Sequence, residues 1–180
     1  MMDLTQLPGP YGVIYADPPW WYNGQHSYQP HGHAAIHYPC MKDAELMALP
    51  VSKITEKNAV LFLWVTSPLL ARAMPIIPAW GFKYKSSFVW DKVLHNMGYY
   101  NSVRHEFLLI ATKGRCVPPV RKLFDSVQTI ERTKRHSEKP EVFRTIIDTL
   151  YPGFKKLELF ARKQVKGWDA WGNEISQPSS

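Results

Sequence analysis

The sequence predicts a layered α/β domain with a mostly parallel central sheet flanked by helices. Three observations carry that expectation. Six short runs rich in β-branched, aromatic and leucine side chains recur along the chain, and stretches of helical periodicity lie between several of them. A length of 180 residues with 45% hydrophobic content fits one globular domain with a real core. Glycine and proline punctuate the junctions, as strand-helix alternation requires.

The elements follow in order. Val13–Ala16 is the first strand, and 43–49 reads as a short helix. Ala59–Val65 is the second strand. Residues 68–79 read as a longer helix that Pro75 and Pro78 should kink or end early, since each removes an N–H donor and clashes with the preceding turn. Tyr84–Trp90, Phe107–Thr112 and Val127–Arg132 are further strands. Pro140–Leu150 is the clearest helix: Pro140 suits its first position, Ser137 and Glu138 help cap it, and Val142, Phe143, Ile146, Ile147 and Leu150 form one apolar stripe. Gly153 breaks the chain before the last strand, Lys156–Ala161. Two loops are expected, 21–39 and 92–104, both able to wrap a ligand. Residues 1–175 are read as one domain, with a disordered tail at 176–180.

Directly after the first strand stand Asp17, Pro18, Pro19 and Trp20. X-Pro-Pro can simply end a strand. At average residue usage, however, all four residues together arise by chance in roughly one such chain in a few thousand. Their chemistry fits amine activation. An exocyclic base amine is a poor nucleophile because its lone pair is delocalised into the ring. A carboxylate on Asp17 can accept one N–H and the Pro18 carbonyl the other, on a segment stiffened by two fixed φ angles. Trp20 is expected to offer a stacking face for the base. In open α/β sheets ligands bind outside the carboxyl ends of strands, which is where Asp17 falls.

This motif resembles that of aminomethyltransferases acting on nucleic-acid bases with S-adenosylmethionine. Further segments agree in order: Phe62-Leu63-Trp64-Val65-Thr66; His105-Glu106 before an apolar run closed by Lys113-Gly114; Lys139-Pro140; and Leu157-Glu158-Leu159-Phe160-Ala161-Arg162 followed by Gly172-Asn173-Glu174. Together they resemble the MT-A70 family across most of residues 11–175. The resemblance implies a Rossmann-like methyltransferase fold, S-adenosylmethionine as cofactor and adenine N6 as acceptor. DNA is favoured, with RNA or the role of a non-catalytic partner subunit as alternatives. It assigns Asp17, Pro18, Pro19 and Trp20 to catalysis and puts Asp17 beside the donor as well. Lys139 would take the donor carboxylate, with Gln164 near it, and Arg162, Asn173 and Glu174 the ribose. Tyr38 and Glu106 would lie near the acceptor. Ala161 stands where the family often has glycine.

The remaining composition narrows the class. A formal net charge of +7 fits a polyanionic partner, with Arg132, Lys134 and Arg135 as candidate phosphate contacts. Cys40 and Cys116 have no cysteine neighbour at metal-ligand spacing, so neither a zinc ribbon nor a disulfide framework is indicated. His26, His31, His33 and His37 lack a helical i, i+4 pair, and no metal is expected. No signal peptide or membrane span is read, so a cytoplasmic protein of a bacterium or phage-infected host is expected. A homodimer or second subunit would supply the DNA contacts that one small domain lacks.

Overall fold

A computed structural model describes residues 3–21, 40–96, 100–132 and 138–175. Among these, strands β1 (Tyr11–Ala16), β2 (Thr55–Thr66), β3 (Lys83–Asn96), β4 (Val103–Lys113), β5 (Val127–Thr129), β6 (Lys156–Leu159) and β7 (Asp169–Trp171) form one sheet in the order β5-β3-β4-β2-β1-β6-β7. β1 pairs in parallel with β2 and β6, β6 with β7, and β3 with β5. β4 runs the other way, antiparallel to both β2 and β3. The sheet is therefore mostly parallel with one reversed strand.

That reversal corrects the expected loop at 92–104. Lys92–Asn96 and Val103 belong to the β3–β4 ladder, which pairs Asp91 with His105 and Asn96 with Val103. Polar and aromatic residues there suit a solvated antiparallel ribbon, whose backbone bonds are made strand to strand whatever the side chains. β7 is a second departure: three residues are too few to leave a periodic signal.

Helices α1 (Asp43–Met47), α2 (Leu70–Ala73), α3 (Ile76–Ala79) and α4 (Glu141–Leu150) cover the sheet. α2 and α3 are separated at Met74-Pro75, the break that proline imposes. α4 starts one residue later than expected, with Pro140 as its N-cap and no side chain capping it. Its buried face holds Phe143, Ile146, Ile147 and Leu150, and also Arg144.

Successive strand residues feed two cores, as a pleat with period two dictates. Ile14, Ala16, Leu61, Leu63 and Val65 pack with Leu46, Ile77 and Trp80 on the α1–α3 side. Val13, Tyr15, Val60, Phe62 and Trp64 pack with Phe143, Ile147 and Trp168 on the α4 side. Both faces of β1 and of β2 from Ala59 to Val65 are thus dry, which explains the continuous apolar runs there. No described helix is long and apolar enough to cross a membrane.

Candidate active site

β1 carries the chain between β2 and β6, with Ala16 level with Leu63 and Leu159, and delivers Asp17 at the carboxyl end of the central strands. The backbone is then fixed on both sides. The Trp20 N–H donates to the Pro18 carbonyl (2.9 Å), and the Met41 N–H donates to the Pro19 carbonyl (2.8 Å). The Trp20 indole N–H donates to the Trp64 carbonyl at 3.2 Å. Arg72 donates to the Trp21 carbonyl (2.7 Å) while gripping Asp43 through both carboxylate oxygens, tying α1 and α2 beneath the motif.

Trp20 itself is 6% exposed and belongs to the α1–α3 core. Its apolar rings are used in packing, and the residue anchors the motif to β2. The Pro18 carbonyl likewise already accepts one bond, which leaves it one lone pair for a substrate amine.

Around Asp17 lies an alternating line of charges. Lys139 Nζ is 2.8 Å from Asp17 Oδ2 and 3.3 Å from Glu106 Oε2, and Glu106 Oε1 is 3.1 Å from Lys92 Nζ. The four charges sum to zero, which is what makes their burial tolerable. The Lys139 ammonium also sits 5.4 Å from the centre of the Trp64 ring, whose indole N–H is fixed by Tyr15 Oη at 2.7 Å. Burial pushes the Asp17 carboxyl above its usual 3.8; Lys139 pulls against this, and Glu106 adds to it. Glu106 is also penalised by burial, but Lys139 and Lys92 together hold it below its usual 4.5. Burial likewise disfavours the Lys139 ammonium, yet the carboxylates of Asp17 and Glu106 outweigh it and keep the lysine charged.

A cavity of about 250 Å³ opens beside this cluster, lined by Tyr15, Asp17, Lys139, Arg144, Glu158, Phe160 and Arg162 among others. Its far wall is the exit of β6. Phe160 turns the chain there with φ +62°, a left-handed conformation that bulky residues rarely adopt and that persists only when neighbours enforce it. Two neighbours do. The Phe160 ring meets Trp171 edge-on at 5.5 Å, and the Ala161 N–H donates to the Trp171 carbonyl at 3.0 Å. Gly172 permits this approach, because a Cβ there would collide with the Ala161 backbone.

The MT-A70 family matches residues 11–174. The chain belongs to the MT-A70 family. It is 39% identical over 190 residues to the type II methyltransferase M.MunI of a Mycoplasma species, an alignment covering 96% of this chain and 81% of that protein. It is 27% identical over 178 residues to an Arabidopsis thaliana N(6)-adenosine-methyltransferase MT-A70-like protein, covering 93% of this chain and 24% of the relative. Against the human N(6)-adenosine-methyltransferase catalytic subunit METTL3 the identity is 24% over 184 residues, covering 97% and 30%. The chain thus spans most of M.MunI and under a third of these two eukaryotic relatives. The sheet and its helices are the Rossmann-like methyltransferase fold, and this MT-A70 protein is a methyltransferase.

The site of this MT-A70 protein gathers Asp17, Lys139 and Arg162 around one cavity, with Glu106 3.3 Å from the Lys139 ammonium. Arg162 lies 3.7 Å from Glu174, both side chains being more than a third exposed. Gln164 is committed elsewhere, donating to the Trp168 carbonyl at 2.6 Å, and Asn173 is exposed. Arg132 is exposed at the edge of its described segment. Tyr38, Lys134, Arg135 and the four loop histidines lie outside the described residues, as does the tail. Among the described residues no group of three or more His, Cys, Asp or Glu is arranged to hold a metal. The sequence reading missed Lys92, Arg144 and Glu158. Lys92 and Arg144 each interrupt an apolar segment with a cation, and that interruption was the available signal.

Proposed function

We propose that this MT-A70 protein transfers a methyl group from S-adenosylmethionine to the N6 amine of adenine in DNA. The observation that carries the reading is Asp17, partly buried at the head of β1, paired with Lys139 and facing a cavity with charges of both signs. When bound, S-adenosylmethionine supplies a methyl group made electrophilic by its sulfonium. The cavity suits such a molecule: Arg162 lines it at the β6 exit, with Glu174 3.7 Å from its guanidinium, so both are candidates for the ribose hydroxyls, and charged side chains line the wall nearest α4.

The protein's own part is orientation and polarisation. The Asp17 carboxylate accepts one N–H of the amine, and the second lone pair of the Pro18 carbonyl accepts the other. The amine lone pair is then directed along the line of transfer. Holding two reactants in this way is worth about 7–11 kcal/mol of barrier, provided the frame does not give. The Pro18-Pro19 segment, its bonds to Trp20 and Met41, and the buried Trp20 ring make it stiff. As the nitrogen gains the methyl group it must lose a proton. Asp17 Oδ receives it, a role suited to a carboxyl that burial has made more basic.

Likeness to a bacterial type II methyltransferase and the net charge of +7 favour DNA. With that substrate the protein acts in the cytoplasm of a bacterial or phage-infected cell. The names of the eukaryotic relatives favour RNA adenosine as the second reading. Mass spectrometry of nucleosides from DNA and from RNA, each incubated with the protein and labelled donor, separates them. Label on N6-methyldeoxyadenosine is the expected result; label confined to RNA, or to N4-methylcytosine, refutes it.

A further inference from the structure

Lys92 is 5% exposed although it lies near the carboxyl end of β3, where the next residues, Val93 and Leu94, are exposed. A side chain long enough to reach water is turned inward instead. The backbone enforces that turn. Val93 has φ +65°, a left-handed conformation that a β-branched residue rarely adopts and that persists only when its surroundings over-determine it. Its N–H donates to Asp91 Oδ1 at 3.0 Å, and Arg104 holds the other Asp91 oxygen at 3.0 Å. The β3–β4 register shifts at this corner, between the Asp91–His105 and Asn96–Val103 pairs. Strain at Val93 thus goes with a lysine aimed into the site. There Lys92 Nζ donates to Glu106 Oε1 at 3.1 Å, while Glu106 Oε2 faces Lys139 at 3.3 Å, and the Trp90 ring centre lies 5.8 Å behind the ammonium.

We propose that Lys92 is a positioning residue for methyl transfer: it holds Glu106 ionised and in place, so that Lys139 stays shared between two carboxylates and Asp17 keeps an oxygen for the substrate amine. This role rests on reading Asp17 as the group that polarises that amine. Charge balance is the physical reason. Without Lys92, the carboxylates of Asp17 and Glu106 share the single cation Lys139 in a largely buried line, and one of them takes up a proton at higher pH. Glu106 is the group exposed to this loss, since Lys139 and Lys92 together hold its carboxyl below the usual range against burial. The charges acting on Asp17 are Lys139, Glu106 and Arg162, and those acting on Lys139 are Asp17 and Glu106, with Tyr15 beside them. Lys92 therefore acts on the reacting end through Glu106.

Profiles of kcat/KM against pH for the full chain, on DNA with labelled S-adenosylmethionine, test this. Lys92→Met keeps the stem and removes the charge. It should move the acid limb up by about one pH unit, which is about a tenfold loss of rate on the acid side of that limb. Calorimetry should show affinity for S-adenosylhomocysteine within about twofold of wild type, because the lost group touches neither donor nor acceptor. Lys92→Arg restores the charge and should bring the limb most of the way back. In a Glu106→Gln background, Lys92→Met should leave the limb where Glu106→Gln alone puts it, since residues acting as one unit are not additive. That double variant leaves Asp17 and Lys139 as a neutral pair and carries the test if Lys92→Met folds poorly. An unmoved limb in Lys92→Met, an equal shift with and without Glu106, or a loss of donor affinity as large as the loss of rate overturns the positioning role. A wild type inactive at every pH overturns the reading of the reaction, and with it the role that depends on it.

Discussion

The exits of β1 and β6 face the same cavity and handle charge in opposite ways. After β1, Asp17 is locked into a largely buried line with Lys139, Glu106 and Lys92, and its backbone is pinned by two prolines and by Trp20. After β6, Arg162 and Glu174 stand 3.7 Å apart with 38% and 40% of their side chains exposed, and Asn173 is open to solvent. The first end is organised before any ligand arrives. The second has rigid backbone, enforced at Phe160 and Gly172, but side chains that water still screens. The difference fits the roles proposed for the two ends: polarising an amine needs a fixed carboxylate shielded from water, while holding a ribose needs only polar groups within reach.

The largest effect should come from Asp17→Asn, which keeps shape and loses the acceptor charge. A fall of roughly 10²–10³ in kcat with donor affinity retained is expected. Stability should behave differently. A carboxyl whose folded pKa is raised contributes stability at pH below its unfolded value, and that contribution is lost as pH rises through the folded value. At pH 7 the desolvation cost of the ionised carboxyl is opposed by the charge Asp17 neutralises on Lys139, and Asp17→Asn leaves the line with a net positive charge, so it should melt below the wild-type temperature. A Tm at or above wild type would mean that desolvation of the carboxylate outweighs the Lys139 pairing.

Next comes Trp20→Ala, which tests whether this ring is anchor or platform. Removing a buried Trp should cost about 3–5 kcal/mol in chemical denaturation. If stability is unchanged while acceptor affinity falls, the ring is a stacking surface.

Smaller, but signed, are the effects of the buried neighbours on the acid limb of the kcat/KM profile. Lys139 lowers the Asp17 pKa and Glu106 raises it. Lys139→Met should therefore move the limb to higher pH and Glu106→Gln to lower pH. Shifts in the same direction would show that the limb belongs to another group. Glu106, held below its usual value, also contributes stability above pH 4.5 that is lost as pH falls, and Glu106→Gln should flatten that acid-side loss in Tm. The smallest effect is expected at the other end: Glu174→Gln should change donor affinity only a few-fold by calorimetry, because exposed pairs are worth about 0–1 kcal/mol.

Much of this protein was legible locally. Apolar runs marked six strands, the apolar stripe from Val142 to Leu150 marked α4, and Pro75 marked the break between α2 and α3, because each signal lies within a few residues of chain. The Asp17-Pro18-Pro19-Trp20 motif and Lys139 were legible as residue types in order, and the fold brings Asp17 and Lys139 to 2.8 Å. What the sequence could not decide is how charges from distant segments meet. Lys92 on β3, Glu106 on β4, Arg144 on α4 and Glu158 on β6 are ordinary surface residues by type; the burial of the two cations and the partial burial of the two glutamates go with ion pairs that exist only once the sheet is assembled. The same holds for Trp20, whose ring enters the core because β2 offers the Trp64 carbonyl to its indole. Sequence alone determined which chemical groups the protein has and where the centres of six strands and α4 lie. Tertiary structure alone decided which are dry, because desolvation and pairing depend on distance in space.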